Sequence, residues 1–334
     1  MHRPTLLRFL LASGLLATAA FSLLDVAPPV MLRIVLVGDI MLSRGVAARM
    51  AEARDPLLPF AGISALLDSS DLNFGNLESP FAPDRPEGTT GGRSLFFAAP
   101  HAAVRGLKRY RFRVVSMANN HAFDQDGEGL EATIRHLSDS GIKPVGVGSN
   151  LDEAWRSEIV EAKGRRVGFL AASYASINDG GKQVYEEVAR IENTARLKAG
   201  IRELKKRADI IIVSMHAGTE YTAEPDAAQV AFAHAAIDAG ADVVVGSHPH
   251  WVQPVERYGR GLIFYSLGNF VFDLDGVAEQ GLAVKLFIDP RGLALAELCP
   301  VRIEMQCCPR PANSAESREI LKRMRAKSTL FRMR

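Results

Sequence analysis

Short apolar, β-branched runs alternate with helical patterns from residue 32 onward, and this alternation limits the possible folds more than any other feature of the sequence. The pattern is typical of parallel strands, because a parallel connection needs a long crossover that a helix usually supplies. We therefore predict an α/β fold. The predicted strands are Arg33–Val37, Leu72–Phe74, Arg113–Met117, Pro144–Val147, Val167–Ala171, Ile210–Met215, Val243–Val245 and Leu262–Tyr265, and the predicted helices are Leu130–Ser140, Ala195–Lys206 and Ala227–Ala239.

Two places break the alternation and predict antiparallel hairpins, each with a turn that contains glycine. The paired segments are Glu158–Glu161 with Arg166–Phe169, and Leu282–Ile288 with Leu293–Leu298. Antiparallel pairs inside a βα chain favour a layered sandwich over a single open sheet. The Pro- and Gly-rich segment Ala82–Arg93 is predicted to be a surface loop, and no repeat or low-complexity linker divides the sequence.

The N-terminal residues have the pattern of a secretory segment. Arg3 and Arg8 lie ahead of, or just inside, the apolar run FLLASGLLATAAFSLL, which has the length of a signal-peptide core and is short for a membrane span. Ala17-Thr18-Ala19 offers a cleavage site. We expect residues 1–30 to be a signal peptide or an N-terminal anchor, so that the protein is membrane-associated or exported. A start at Met31 would instead make it cytoplasmic.

The rest of the chain is expected to form one domain, residues 31–308, followed by a basic C-terminal tail, residues 309–334. The net charge of +2 gives no reason to expect a nucleic acid as a partner. The three cysteines predict no disulfide framework, because their number is odd and two of them are adjacent.

Polar side chains follow five of the predicted strands at the point where each strand ends. The carboxyl ends of strands are where α/β sheets form their ligand crevice, so these segments are expected to converge. Imidazoles, carboxylates and a carboxamide make a mixed nitrogen and oxygen ligand set suited to zinc, manganese or iron. The segments are Gly38-Asp39, Gly75-Asn76-Leu77-Glu78, Ala118-Asn119-Asn120-His121, His216-Ala217-Gly218 and Gly246-Ser247-His248-Pro249-His250.

Each segment also has a purely structural explanation when it is taken alone. A Gly-Asp pair after a strand is commonly a turn or a helix cap, and a single histidine can cap a strand. The pair His248 and His250 is a stronger sign of a ligand site, because two imidazoles separated by one extended residue face the same side of the chain. Three other histidines are predicted to be surface or half-buried helix residues: His101, His136 and His234.

Six motifs occur along the chain: VGDIML, GNLESP, MANNHAFDQDGEGL, SMHAGTEY, GADVVVGSHPHWVQ and YSLGNFVFD. In order and spacing they resemble the bacterial CapA proteins of capsule and poly-γ-glutamate synthesis, and the resemblance runs from about Leu32 to Asp273. CapA proteins are similar to calcineurin-like metallophosphoesterases. The resemblance therefore implies a four-layer α/β/β/α sandwich with a metal centre at the strand ends.

The resemblance also implies roles for particular residues. Asp39 resembles the ligand of the first strand, and His121 resembles the histidine that assists the leaving group. The other ligand positions are matched by Asn120, His216, His248 and His250. The side chains expected to contact substrate at the rim of the pocket are Glu220, Tyr221 and Asn269.

Two positions depart from the superfamily pattern. Met41 stands where a histidine is expected, and a thioether is a poor ligand for a hard divalent ion. A bridging aspartate is also missing, so Glu78 becomes the candidate bridge. The sequence thus predicts one tight divalent cation and a second that is weak or absent. The ligands of the first would be Asn120, His216, His248 and Glu78, and those of the second Asp39 and His250.

Two functions are consistent with this site. The first is a metal-dependent hydrolase of a phosphoester or a related bond, in which a cation activates water for attack and His121 is the general acid. The second is an accessory protein, within a membrane-bound polymer synthesis complex, that grips an anionic polymer through the same pocket with little or no catalysis. The altered first-strand motif slightly favours the second function.

Overall fold

A computed structural model describes residues 31–81, 96–174, 186–326 and 328–333. The predicted surface loop Ala82–Arg93 and the expected signal or anchor segment, residues 1–30, lie outside this described part. Among the described residues, no helix combines the length and the apolar character that crossing a membrane requires.

The strands range in length from three to 13 residues. In chain order they are β1 (Leu32–Ile40), β2 (Leu72–Leu77), β3 (Val114–Ser116), β4 (Lys143–Val145), β5 (Glu158–Ala162), β6 (Arg165–Ser173), β7 (Ile210–His216), β8 (Val243–Ser247), β9 (Val255–Tyr258), β10 (Gly261–Phe264), β11 (Asn269–Val271), β12 (Gln280–Asp289), β13 (Gly292–Glu304), β14 (Cys308–Pro311) and β15 (Leu330–Arg332). The α-helices are α1 (Arg44–Ala53), α2 (Leu58–Ala61), α3 (Ser64–Asp68), α4 (Val104–Arg109), α5 (Asp126–Asp139), α6 (Leu151–Ala154), α7 (Thr194–Leu204), α8 (Ala227–Ala239) and α9 (Ser314–Arg323).

These strands form two sheets. The first has the order β14-β13-β12-β1-β2-β3-β4, with β11 also paired to β1 and β15 to β13. The second has the order β5-β6-β7-β8-β10-β9. Neighbours from β1 to β4 are parallel, and so are β6, β7, β8 and β10. The two predicted hairpins are present as the antiparallel pairs β5–β6 and β12–β13.

Alternating side chains on β6 show which face of the second sheet packs on the first sheet and which face packs on helices. Because the side-chain period of a strand is two, successive residues point to opposite faces of the sheet. Val167 and Phe169 join the core that lies between the sheets, whereas Leu170 packs with the helices on the other face. The ring of Phe74 on β2 stacks on Phe169 with 4.9 Å between centroids, so the two sheets are in direct contact.

Helices cover the outer faces of both sheets. Leu197 of α7 and Phe232 of α8 belong to the core on the outer face of the second sheet. Val46 of α1 and Leu137 of α5 belong to the core of the first. The protein is therefore an α/β/β/α sandwich, as the resemblance implied.

All of the predicted strands and helices are present within a few residues of their expected bounds, but several short helices were not predicted. In α1 only Val46 and Met50 are buried, and in α9 only Ile320. Such narrow apolar faces do not produce a recognisable helical period. These helices are therefore fixed by tertiary packing.

The segment after residue 308 folds back onto the first sheet. Both β14 and β15 pair with β13. Ile320 and Met324 are fully buried in the same core as β1 and β2. The residues expected to form a basic tail thus share a core with residues 31–308, and the domain boundary itself stays a prediction.

Candidate metal centre

Residues from the carboxyl ends of strands in both sheets meet in one buried polar cluster. The first sheet brings its polar residues from the ends of β1, β2 and β3, and the second brings histidines from the ends of β7 and β8. Every member is between 0% and 5% exposed. The members are Asp39, Glu78, Asn120, His121, His216, His248 and His250.

A close backbone approach holds Asp39 in the cluster. β1 is irregular between Asp39 and Ile40, and the Asp39 N–H donates to the Gly268 carbonyl at 3.1 Å. A Cβ atom on Gly38 would lie 1.8 Å from that same carbonyl oxygen. Only glycine at position 38 permits this approach, so the Gly-Asp pair is required by the local geometry.

The loop that carries His248 and His250 is a tight turn. Both residues have positive φ, 98° and 56°, in the left-handed region that is uncommon for residues other than glycine. An extended connection between them was expected, but the turn brings both imidazoles to the cluster with 6.1 Å between ring centroids. Backbone strain of this kind concentrates at functional sites.

The two oxygens of Asp39 are fixed by hydrogen bonds. Oδ1 accepts from Asn76 Nδ2 at 2.8 Å, and Oδ2 accepts from the His248 N–H at 3.1 Å. Burial raises the pKa of Asp39 because it disfavours the charged form. The carboxylate is therefore oriented but poorly solvated.

Glu78 is the least satisfied residue of the cluster. Among the described residues neither of its carboxylate oxygens has a hydrogen-bond partner. Oε1 lies 3.8 Å from His121 Nε2 and 3.9 Å from His216 Nε2. Burial, and then the neighbouring Asp39 charge, raise the pKa of Glu78 well above its usual value. A buried carboxylate without partners is costly, and a bound cation would offset that cost.

Two histidines of the cluster, His216 and His248, are held neutral. Burial lowers the pKa of His216 well below its usual value, and burial with the neighbouring His250 lowers the pKa of His248 to about 3. His216 Nε2 lies 2.7 Å from Asn120 Oδ1, and Nδ1 of His248 has no partner in the described part of the chain. A neutral imidazole has a nitrogen lone pair, which a metal ion can use.

These residues form two groups that could hold a metal ion, and within each group the ligand atoms lie within 4.8 Å of one another. Glu78 belongs to both groups. The unpartnered atoms of Glu78 and His248, together with the mixed nitrogen and oxygen donors, fit a divalent cation of the zinc, manganese or iron type. The groups are Glu78-His216-His248 and Asp39-Glu78-His250.

His121 is fixed beside the two groups. Its Nδ1 lies 2.7 Å from Asp124 Oδ2, which also accepts from the Phe97 N–H at 2.6 Å. The Phe97 ring stacks on the imidazole with 3.9 Å between centroids. Because the carboxylate takes Nδ1–H, Nε2 is the nitrogen that faces Glu78.

The three predicted rim residues lie in different places. Glu220 and Tyr221 are exposed, and the Tyr221 ring lies 5.7 Å from that of His250. Asn269, also expected at the rim, is fully buried behind His250 instead. Its amide contacts His250 and the carbonyl of Ala278.

Met41, which stands where the superfamily pattern has a histidine, has a structural role. Its side chain is fully buried, and its sulfur accepts a hydrogen bond from the Ser43 N–H at 3.1 Å, just before α1. This hydrogen bond gives the Met41 side chain a structural role that requires no metal ion.

The three histidines predicted to be surface or half-buried helix residues lie outside the cluster. The rings of His101 and His136 stack on each other at 4.6 Å. His234 lies 3.1 Å from a carboxylate oxygen of Glu256 and stacks on Tyr258. None of the three belongs to a candidate metal group among the described residues.

Two residues of the site were not predicted. Asp124 lies three positions after His121, within the same motif. The Tyr174 hydroxyl lies 2.9 Å from His248 Nε2. Tyr174 directly follows β6, and this position at the carboxyl end of a strand is the sequence signal that points to it.

Comparison with known proteins relates the chain to one family. The sequence model of the family described as bacterial capsule synthesis protein PGA_cap matches residues 33–274. The capsule biosynthesis protein CapA of Bacillus anthracis is 30% identical over 307 residues, which cover 89% of this chain and 74% of that protein. The PGA biosynthesis protein CapA of Bacillus subtilis (strain 168) is 30% identical over 298 residues, which cover 86% of this chain and 76% of that protein.

Solved structures share the fold. A phosphatase from Mycoplasma pneumoniae superposes with a TM-score of 0.53 at 15% identity, covering 89% of this chain and 100% of that chain. The calcineurin-like phosphoesterase YfkN from Bacillus subtilis superposes with a TM-score of 0.51 at 13% identity, covering 89% of this chain and 97% of that chain. At these identities the likeness concerns the fold, which is that of calcineurin-like phosphoesterases.

Proposed function

The chain belongs to the bacterial capsule synthesis protein family PGA_cap, and on that premise we propose that it is a metal-dependent hydrolase of a phosphoester or a related bond. Its place would be in capsule or poly-γ-glutamate synthesis or export. The observation that carries the proposal is the fully buried Glu78 carboxylate, which lacks a hydrogen-bond partner among the described residues and has His121 beside it. A bound cation would offset the cost of burying the carboxylate, and a role in proton transfer would explain why His121 lies beside it.

The residues that would hold cations follow from the two groups. Glu78, His216, His248 and Asn120 would hold one tightly, as manganese, zinc or iron. Asp39, Glu78 and His250 would hold a second weakly, since Met41 turns its sulfur to Ser43. A divalent cation bound there supplies Lewis-acid polarisation of a substrate oxygen and a nucleophile from water at neutral pH.

His121 would act as the general acid. Asp124 fixes the ring through Nδ1, so a proton carried on Nε2 is directed at the space beside Glu78, where it can pass to the leaving oxygen. Phe97 covers one face of the ring and excludes water from that side. These contacts hold the ring in a single orientation, and that orientation is needed for proton transfer.

The substrate would be an anionic polymer or a phosphoester, contacted at the opening by Glu220 and Tyr221. Residues 1–30 would place the protein at the membrane or outside it, in contact with a membrane-bound polymer synthesis complex.

One observation favours a second function, in which the protein binds an anionic polymer with little or no catalysis. The sulfur of Met41 is committed to the backbone of Ser43, so the group around Asp39 has one ligand fewer than the superfamily pattern provides. A site with one tightly bound cation can bind a carboxylate or a phosphate without catalysing the displacement of a leaving group.

Replacement of His121 separates the two functions. In a hydrolase, His121→Ala should lower turnover by roughly 10²–10⁴-fold, the range for loss of a general acid, while bound metal stays near the wild-type amount. The loss should be smaller for substrates with good leaving groups, which need little protonation. Turnover of phosphomonoesters, phosphodiesters and poly-γ-glutamate with manganese or zinc is the measurement, and His101→Ala is the matched control.

A variant as active as the wild type on every leaving group would remove His121 from the mechanism. If the wild-type protein turns over no substrate of the panel but retains the polymer, the binding function is supported instead.

A further inference from the structure

We propose that Asn269 is a positioning residue that determines which nitrogen of His250 can bind a divalent cation. The inference rests on the proposed cation site and adds a residue to it. Asn269 would contact neither the cation nor the substrate, and would act through His250.

The hydrogen bonds of Asn269 determine which way its side-chain amide is oriented. Nδ2 lies 2.9 Å from the carbonyl oxygen of Ala278, which can only accept, so the amide nitrogen must be on that side. Oδ1 then faces His250 Nδ1 at 2.9 Å and can only accept. His250 must therefore carry its hydrogen on Nδ1, where Asp39 Oδ2 at 3.8 Å is a second acceptor, and Nε2 is left with the lone pair that a metal ion needs.

The position of Asn269 in the sheet ties it to the other ligands. β11 runs parallel to β1, and Asn269 is in register with Asp39. The neighbouring hydrogen bonds from Asp39 N–H to Gly268 and from Met41 N–H to Val271 hold the two strands together. The amide is fully buried, so its position is fixed by the sheet and water does not compete for it.

In His248 it is the other nitrogen, Nδ1, that is left without a hydrogen-bond partner among the described residues. Its Nε2 lies 2.9 Å from the Tyr174 hydroxyl. The two histidines of the turn would thus present different nitrogens, Nδ1 from His248 and Nε2 from His250. Loss of Asn269 should consequently affect the group of Asp39, Glu78 and His250 and spare the other group.

The test measures the tautomer of His250 directly. Long-range ¹H–¹⁵N NMR spectra of the metal-free full chain, labelled with ¹⁵N-histidine, report which ring nitrogen carries hydrogen, and the His250 signals are those absent from His250→Gln. We expect the Nδ1–H form in the wild type. Asn269→Ala should shift it toward the Nε2–H form that unconstrained histidine favours, and Asn269→Asp, which keeps an acceptor in place, should retain Nδ1–H.

Titration with Mn²⁺ gives the second measurement. Asn269→Ala should weaken the binding of one Mn²⁺ by about 10–100-fold, the usual effect of removing a residue that orients a metal ligand, and should leave the other unchanged. Asn73→Ala is the matched control, because Asn73 is an equally buried asparagine bonded to backbone away from the cluster.

Two results would overturn the inference while leaving the cation site in place: an Nε2–H tautomer of His250 in the wild type, or wild-type Mn²⁺ affinity in Asn269→Ala. Failure of the wild-type protein to bind Mn²⁺ would instead overturn the proposed function, and with it the role of Asn269.

Discussion

Glu78 is the residue of the cluster that a bound cation would stabilise most. Both of its oxygens are buried without a hydrogen-bond partner among the described residues, and Asp39 adds a like charge nearby. Because the pKa of Glu78 is raised in the folded state, the metal-free protein loses stability as the pH rises through that pKa. Above the usual pKa of glutamate this side chain therefore destabilises the metal-free fold, and a bound cation would offset that cost.

This dependence gives a prediction for Glu78→Gln, which keeps the shape of the side chain and removes its charge. In chelator at neutral pH the variant should unfold at the same temperature as the wild type or at a higher one, whereas added Mn²⁺ should raise the unfolding temperature of the wild type only. Thermal unfolding measures both effects, with Glu52→Gln, a change at an exposed glutamate of α1, as the control that should respond to Mn²⁺ like the wild type. An equal Mn²⁺-induced shift in Glu78→Gln and wild type would contradict the ligand role of Glu78.

At this scale the sequence predicts residue types better than residue contacts. His216 and His248 can be predicted as site residues because they follow apolar strands, and strand ends converge in an α/β sheet. The surroundings of Asn269 could not be predicted in the same way, because they depend on pairing between β11 and a strand far away in the sequence. The left-handed backbone conformation of His248 and His250 could not be predicted from the sequence either, since neither residue is a glycine.

At the scale of elements, the central strands of the second sheet are predictable from the sequence, whereas the small connecting elements are not. β7 and β8 are rich in β-branched residues and, like most of β6, are buried on both faces, so the apolar runs identify these strands. β11 has three residues and exists as a strand only because β1 lies beside it. Such elements are fixed by the assembled fold, and local sequence carries little information about them.

The N-terminus of α9 gives a prediction about pH. Asn313 and Glu316 form a capping box, and Arg310 bonds to the Glu316 carboxylate. Arg310 first, and then the Asn313 N–H, lower the pKa of Glu316 to about 2. A lowered pKa means that the contribution of Glu316 to stability is complete above its unfolded value of 4.5 and is lost as the pH falls toward 2.

Denaturant unfolding of Glu316→Gln tests this contribution. The variant should be less stable than the wild type at pH 6, and the difference should shrink as the pH falls below 4.5. Glu131→Gln, which changes an exposed glutamate paired within α5, is the control and should show little difference at either pH. A difference for Glu316→Gln that is the same at both pH values would show that the capping contact does not depend on the charge.

At the scale of the whole molecule, the N-terminal segment should direct the protein to the membrane or beyond it. Arg3, Arg8 and the apolar run that follows are the basis of this expectation. Fractionation of the native host is the measurement. Leu15→Arg combined with Leu16→Arg should interrupt the run and retain the protein in the cytoplasm, whereas a wild-type protein found wholly in the cytoplasm and beginning at Met31 would contradict the expectation.

The sandwich itself brings the two halves of the site together. Asp39, Glu78 and Asn120 come from one sheet and His216 and His248 from the other, and neither sheet alone provides a complete set of ligands. Because the candidate ligands come from both sheets, metal binding should be coupled to the packing of the two sheets.

Titration of the metal-stripped full chain with Mn²⁺, followed by measurement of bound metal, tests the central claim most directly. The account predicts one tightly bound ion, a second that binds weakly or is absent, and loss of the tight ion in His216→Ala. Two ions bound with equal and tight affinity would contradict the assignment of unequal groups. No bound ion in the wild type, or unchanged metal content in His216→Ala, would contradict the metal centre itself.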